Sequence, residues 1–365
     1  MKFIISMLSL LLLFISTSIN AGAILEDELL GIEDTFSAIQ FYGDAELRAD
    51  MVRDLPRAEE SSFDRAKVRV RSGIIWEVNE AVELGAAIKL NLNTQSNAET
   101  RFNLDNELAD DVSIDELFAR YNLNEDSALL IGQSEFPLNL SPMVWDNDLR
   151  PQGISFQHRH AIGEFSSFQL TAGAFLGNHL FSDSSRINAT QAAFRFGEGT
   201  KFGYQVTASY LEFNNLNDLS SNELRRTNTA GPGGIYAEDF DIIDIQLGTN
   251  IRWNNFPIRA RFDLLKNIAT SDNGYGARID LIFGNSIRES GIEFGFAAQR
   301  IQQDAVVAAF NDDDWWFATN MRGVVGWFAY GFNESLRGKM SVFHERLDPI
   351  EDNNNRAIFD LQYFY

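Results

Sequence analysis

Between residues 64 and 78 the chain alternates with a period of two, as Ala66, Val68, Val70, Ile74 and Trp76 interleave with Arg65, Lys67, Arg69 and Arg71. Successive side chains of a strand point to opposite faces, so this stretch has one oily face and one cationic face. On a helix the same four cations would be scattered around the axis. Asn79-Glu80-Ala81 then supplies a hairpin turn, after which Val82, Leu84, Ala86, Ile88, Leu90 and Leu92 alternate with Glu83, Lys89 and Asn91.

The pattern continues through sixteen candidate strands, near 39–51, 64–78, 82–93, 113–123, 127–134, 153–161, 165–176, 187–197, 200–211, 241–253, 256–269, 274–283, 291–301, 319–330, 336–346 and 355–365. Short connections near Asn79, Asn124, Gly163, Gly197, Asn254, Gly284 and Asn333 alternate with mostly longer ones at 52–63, 94–112, 135–152, 177–186, 212–240, 270–273, 302–318 and 347–354. A soluble sandwich or propeller has no reason to sort its loops by parity, whereas an outer-membrane barrel does, with short periplasmic turns and long extracellular loops. The fold class expected is therefore all-β: a transmembrane antiparallel barrel over residues 39–365, in the outer membrane of a Gram-negative cell. Its oily faces look out to lipid and its polar faces line a lumen wide enough for water.

No window beyond the amino terminus reaches the roughly 18 apolar residues of a membrane helix, which says nothing against strands that cross a membrane. Lys2, the apolar run from Met7 to Ile15 and the small residues Ala21-Gly22-Ala23 form the pattern of a secretory signal peptide, residues 1–23, with cleavage after Ala23 or Ala21. Residues 24–38 show no alternation and form an N-terminal periplasmic segment, in which Leu25, Leu29, Leu30 and Phe36 could mark an amphipathic helix. A formal charge of −22 argues against a nucleic-acid partner, and the absence of cysteine excludes disulfides and thiolate metal sites. Aromatics near strand ends, namely Trp76, Tyr121, Trp253, Phe283, Trp327 and Tyr363, fit the interfacial girdles of a barrel.

Three stretches carry a family resemblance: Gly43-Asp44-Ala45-Glu46-Leu47-Arg48, the run from Met143 to Gly153, and the run from Asp304 to Asp314. Over residues 39–365 the chain resembles the bacterial putative-porin family, whose members are similar to general and phosphate-selective porins. The resemblance implies a porin that passes small hydrophilic solutes or ions by diffusion, without a cofactor, and carries a homotrimer by analogy. A last strand, 355–365, that alternates and ends in an aromatic is what the barrel-assembly machinery recognises in this class, and the surrounding partners would be outer-membrane lipid and lipopolysaccharide.

Selectivity in a wet barrel comes from charge and width at the narrowest point. Similar porins fold the loop after strand five into the lumen. Here that loop holds Pro137, Pro142 and Pro151 with Trp145, Asp146, Asp148 and Arg150. The wall opposite would offer Arg65, Lys67, Arg69 and Arg71, extended by inward Lys89, Arg120, Arg259, Arg261, Arg278, Arg322, Arg337 and Lys339 and interrupted by Asp44, Glu46, Glu116, Asp263, Asp280 and Glu345. Two readings stand: a cationic wall that favours anions, and lumen charges paired into structural salt bridges, of which the second is preferred. The acidic runs Asp105 to Asp111, Asp312-Asp313-Asp314 and Glu351-Asp352 read as solvated loop charge rather than as a divalent-cation bridge to lipopolysaccharide.

Two other functions compete. An outer-membrane hydrolase would need a base near a nucleophile. His158 and His160 share one face of strand six while Ser155 lies on the other, so the histidines read as interfacial, and a third metal ligand cannot be assigned. A structural or adhesive barrel would need its lumen plugged by a loop or by residues 24–38. Gly231-Pro232-Gly233-Gly234 lacks the Lys and Ser/Thr of a phosphate loop and reads as a turn.

Overall fold

A computed structural model describes residues 38–54, 62–93, 111–176, 185–217, 219, 225–254, 256–348 and 353–365. The signal peptide, nearly all of the 24–38 segment, and the acidic runs at 105–110 and 351–352 lie outside the described residues.

Sixteen strands form in order: β1 Ile39–Arg53, β2 Ser62–Asn79, β3 Val82–Asn93, β4 Asp111–Asn124, β5 Ser127–Gln133, β6 Gln152–Gly163, β7 Ser166–Leu176, β8 Arg186–Phe196, β9 Phe202–Asn214, β10 Phe240–Trp253, β11 Phe256–Asn267, β12 Tyr275–Gly284, β13 Ile292–Ile301, β14 Met321–Gly331, β15 Leu336–Leu347 and β16 Asn353–Phe364. Each pairs antiparallel with its neighbours in sequence, and β1 pairs with β16, from Asp44 opposite Phe364 to Arg53 opposite Asn355, so the sheet closes. Closure removes the edges that an open sheet would expose. The expected strand number, pairing and loop parity all hold.

Alternation places the exposed apolar residues on the outside: Ile74, Trp76 and Val78 on β2, Ile243, Ile245 and Leu247 on β10, and Ile292, Phe294 and Phe296 on β13. Trp76, Tyr121, Trp253, Phe283 and Tyr363 lie on this face at the short-turn end, where an aromatic girdle belongs. Trp327 does not join them. It shares parity with buried Val325 and Ala329 and covers Gly295, where an added Cβ would meet its ring at 1.9 Å. Its indole Nε1 donates to Glu293 at 3.1 Å inside the barrel. The girdle assignment of Trp327 is therefore corrected: its parity turns it inward, and Gly295 on the neighbouring strand leaves room for the ring.

Another departure from simple alternation is a bulge in β4. Ala87 faces Glu116 while Ile88 faces Ile114, so Asp115 has no strand partner. A bulge inserts one residue and lets two consecutive side chains approach the same face. Asp115 and Glu116 are both buried as a result.

Candidate permeation pathway

Three of the long connections turn into the barrel and meet there. The β5–β6 loop, 134–151, starts after Gly132, whose φ of +124° and approach to the Leu117 carbonyl oxygen, 2.2 Å from an ideal Cβ, admit no larger residue. Leu138, Leu140, Met143, Val144, Trp145 and Leu149 of this loop are buried. In the β13–β14 loop, 302–320, the run Ala305 to Phe310 is at most 1% exposed. The Trp145 ring stacks between Phe136 at 4.2 Å and Phe310 at 5.4 Å, which locks the two loops together. Backbone bonds add to this, with Asp146 N donating to the Phe310 oxygen at 2.7 Å and Asp312 N to the Pro142 oxygen at 3.0 Å.

The β9–β10 loop contributes a third support through its described residues. Asn228 donates to the carbonyls of Gln303 at 2.7 Å and Val306 at 2.9 Å and accepts from Ala308 N at 2.9 Å. Thr229 Oγ1 donates to Asp304 at 2.5 Å. Pro232–Gly234 forms one 3-10 turn, as read from its glycines, with Gly233 and Gly234 at φ 79° and 83°.

The wall meets these loops in two ways. On β8 to β14 the inward residues Ile187, Leu211, Phe213, Phe240, Ile242, Ile301 and Met321 join the loop residues in one apolar cluster, beside which Gln191 and Gln246 donate to the Asn139 oxygen at 2.9 and 3.0 Å and Asn267 to the Asp304 oxygen at 2.8 Å. On β1, β2, β4, β15 and β16 the contacts are ionic. Asp148 accepts from Arg69 and, at 2.7 Å, from Arg71. Arg150 approaches Glu116 at 3.3 Å and Glu135 at 3.1 Å, and Lys89 reaches Asp115 at 3.9 Å. Asp50 is gripped by both Arg356, at 2.7 and 2.9 Å, and Arg65, at 2.9 Å. Arg48 donates to Asp314 at 2.5 Å and Asp360 at 2.8 Å, while Glu345 accepts from the backbone of Trp316 at 2.8 Å and Phe317 at 2.9 Å.

The loop carboxylates feel these neighbours in opposite senses. Burial works to raise Asp148, but Arg69, Arg71 and Lys67 outweigh it and hold the group well below the usual carboxylate range. Asp314 is likewise lowered, its burial outweighed by Arg48 and Arg356. Asp312 is pushed up to about 7 by burial and by Asp314 beside it. Asp312, Asp313 and Asp314 are partly buried rather than freely solvated, which corrects the sequence expectation: their segment is held inside by Arg48, Arg356 and Glu345.

A sequence model of the family described as "Putative porin" matches residues 36–234. The chain belongs to this porin family. It is an outer-membrane channel for passive diffusion of small hydrophilic solutes. No curated protein matches it in sequence. Among solved structures it is similar to the high-pH form of Pseudomonas putida OprB, with 12% identity, 92% of this chain and 95% of that one covered, and a TM-score of 0.59. It is also similar to Salmonella typhi OmpF, solved with daunomycin, at 11% identity, 90% and 97% coverage and a TM-score of 0.56. Vibrio cholerae OmpT lacking loop L8 matches at 9% identity, 90% and 99% coverage and a TM-score of 0.53. At these identities the likeness is one of fold.

Within this porin the sequence-predicted residues divide. Arg69, Arg71, Lys89, Trp145, Asp146, Asp148 and Arg150 come together around the β5–β6 loop, and Arg65 joins the same wall through Asp50. Arg120 lies apart, 3.8 Å from Glu83 near the short turns, as do Arg259, 3.2 Å from Glu293, and Arg261, 3.2 Å from Asp263. Arg322 is corrected outright. It is exposed and shares parity with Val324 and Phe328, so it stands on the outer face.

Arg48, Asp50, Asp115, Arg356 and Asp360 were missed as partners of the basic row. Arg48 and Asp50 continue the inward parity of Asp44 and Glu46, so that signal was present in β1. His158 Nδ1 meets Ser127 Oγ at 2.9 Å across β5 and β6, a serine that spacing did not single out.

Proposed function

We propose that solutes pass along the ionic side of the lumen, beside the β5–β6 loop, and that the passage favours small cations over anions. The observation that carries this reading is an inequality of exposure. The carboxylates of Asp44, Asp148 and Asp314 are 21%, 30% and 26% exposed, whereas the side chains of their partners Arg48, Arg69 and Arg71 are 13%, 9% and 12% exposed. A passing ion meets the oxygens first, with the guanidiniums set behind them. The basic row then acts as a set of rivets for the loop, in keeping with its pairing, with Asp148 at the edge of the constriction and the buried Trp145, Asp146 and Arg150 holding its loop in place.

Swelling of proteoliposomes loaded with an impermeant polymer tests this. Neutral and cationic solutes of one size should enter faster than an anionic one; faster anion entry would overturn the reading.

The apolar cluster that three loops build narrows the lumen to the ionic side, and absent swelling with every solute would overturn the route proposed there. The hydrolase alternative rests on the Ser127–His158 contact, and His158→Ala should leave swelling unchanged. Residues 1–23 serve as the signal peptide and 24–38 as a periplasmic segment in this proposal, the last strand is the assembly signal, and the barrel works among lipopolysaccharide molecules as a monomer or homotrimer.

A further inference from the structure

Beside the β5–β6 loop the carboxylates of the ion pairs are more exposed than their arginines, and at the short-turn end of the lumen the order is reversed. The Arg120 side chain on β4 is 40% exposed against 23% for Glu83, and Arg159 on β6 is 58% exposed against 33% for Glu198. Arg120 and Asn122 alternate with exposed Tyr121 and Leu123, while Gln157 and Arg159 share the parity of buried Ser155, so all four face the lumen. They line one cavity of about 700 Å³, together with Gln169 of β7 and the turn residues Glu80, Glu125 and Asp126. Asn122 N donates to the Ala81 oxygen at 2.7 Å and Arg159 N to the Asp126 oxygen at 2.8 Å, which fixes both turns against the wall.

Both guanidiniums keep donors to spare. Arg159 gives Nη2 to Glu198 at 2.8 Å, and Arg120 approaches Glu83 through Nε at 3.8 Å, beyond hydrogen-bond reach. A guanidinium offers five N–H groups, and a carboxylate takes two of them in parallel. On the turn side of the cavity Glu80 and Glu125 are exposed, and among the described residues nothing bonds to their carboxylates. Between the two poles lie the side-chain amides of Asn122, Gln157 and Gln169, each able both to donate and to accept. Gln157 Nε2 donates to the Pro137 oxygen at 3.3 Å, so the cavity adjoins the β5–β6 loop that edges the constriction.

We infer that this cavity is a binding site for short peptides with free ends, the C-terminal carboxylate on Arg120 and Arg159 and the N-terminal ammonium on Glu80 and Glu125. The peptide groups between the ends bond to Asn122, Gln157 and Gln169. Two or three extended residues span at most about 7–11 Å, and the cavity volume falls within the usual range of small-ligand sites. An inorganic anion engages the arginines alone, and a simple amine engages the turn carboxylates alone. A peptide engages both poles and the amides between them. The inference adds a solute class to the channel and does not depend on the ion preference proposed for the constriction.

The test is isothermal titration calorimetry of the full-length refolded porin in detergent with trialanine, its C-terminal amide, its N-acetyl form and inorganic phosphate. Trialanine should bind, and loss of either end charge should weaken binding by roughly tenfold, as should Arg120→Gln/Arg159→Gln. The urea midpoint of the double variant reports its folding, and the ligand series on the unaltered protein needs no variant. Equal binding of the three peptide forms, no binding of trialanine, or tighter binding of phosphate than of trialanine would overturn the site. So would a folded double variant that binds trialanine as the unaltered protein does. Binding in detergent is read without current. An anion-favouring channel that binds trialanine would sink the ion preference alone, and a cation-favouring channel that does not bind it would sink this site alone.

Discussion

Along β1, β2, β4, β15 and β16 the lumen wall holds the inserted loops by ion pairs, while along β8 to β14 it holds the same loops by Ile187, Leu211, Phe213, Phe240, Ile242, Ile301 and Met321. The two sides do different work. Ion pairs are directional and leave polar edges that water can reach, so the ionic side can carry a hydrated solute. Apolar contacts exclude water and give the loops a fixed seat without specifying a charge. One lumen therefore contains both a route and a foundation for it.

The sharpest way to break this comparison is to remove a cation that water cannot replace. Arg356 and Asp50 are 1% and 0% exposed at their side chains, and Arg356 also donates to the carbonyls of Asp313 and Asp314, both at 2.9 Å. Arg356→Met leaves Asp50 with Arg65 alone and should cost about 3–5 kcal/mol, read as a lower urea midpoint in detergent. On the apolar side Phe310→Ala removes the shared ring between Trp145 and Phe213. It should cost about 3 kcal/mol by the same measurement while ion preference stays as it was.

A smaller effect sharpens the ionic side. Asp148→Asn takes away a half-buried carboxylate at the edge of the proposed route, and a unit charge near 4 Å in water is worth about 1 kcal/mol. The cation-to-anion permeability ratio should fall by up to about fivefold, and an unchanged ratio would separate Asp148 from the route.

The smallest effect is in pH. Asp312 is raised to about 7, so the folded loop binds a proton that the unfolded chain releases near the ordinary carboxylate value. Its contribution to stability therefore declines as pH rises from about 4 through 7. Asp148 and Asp314 are lowered, and their contributions are present above the ordinary carboxylate value and are lost only well below it. Between pH 8 and 5 the β13–β14 loop should become more protected from hydrogen exchange, and Asp312→Asn should abolish that trend.

The barrel was legible because period-two alternation survives in all sixteen strands and loop length sorts by parity. The ionic wall was half legible. Arg65, Lys67, Arg69 and Arg71 announce themselves in one strand, but their partners Asp50, Asp115 and Asp148 come from β1, a bulge and a loop. Alternation cannot show Asp115, since a bulge sets it beside Glu116. The inward turn of 302–320 was hidden for a different reason. An apolar run from Ala305 to Phe310 between charged residues looks like any loop until Trp145 and Phe213 are seen to receive it. Arg322 was misread because both faces of its strand are apolar, Val324 and Phe328 on one and Val325, Trp327 and Ala329 on the other, so alternation within β14 does not tell the inner face from the outer.

The most direct test of the account is the single-channel behaviour of the refolded porin in a planar bilayer under a salt gradient. Stable open steps with a reversal potential that favours cations are expected, because the proposed route is edged by carboxylates more exposed than the guanidiniums paired with them. An anion-favouring potential would contradict the arrangement proposed for the constriction, and a correctly folded barrel with no conductance would contradict an open route along the ionic wall.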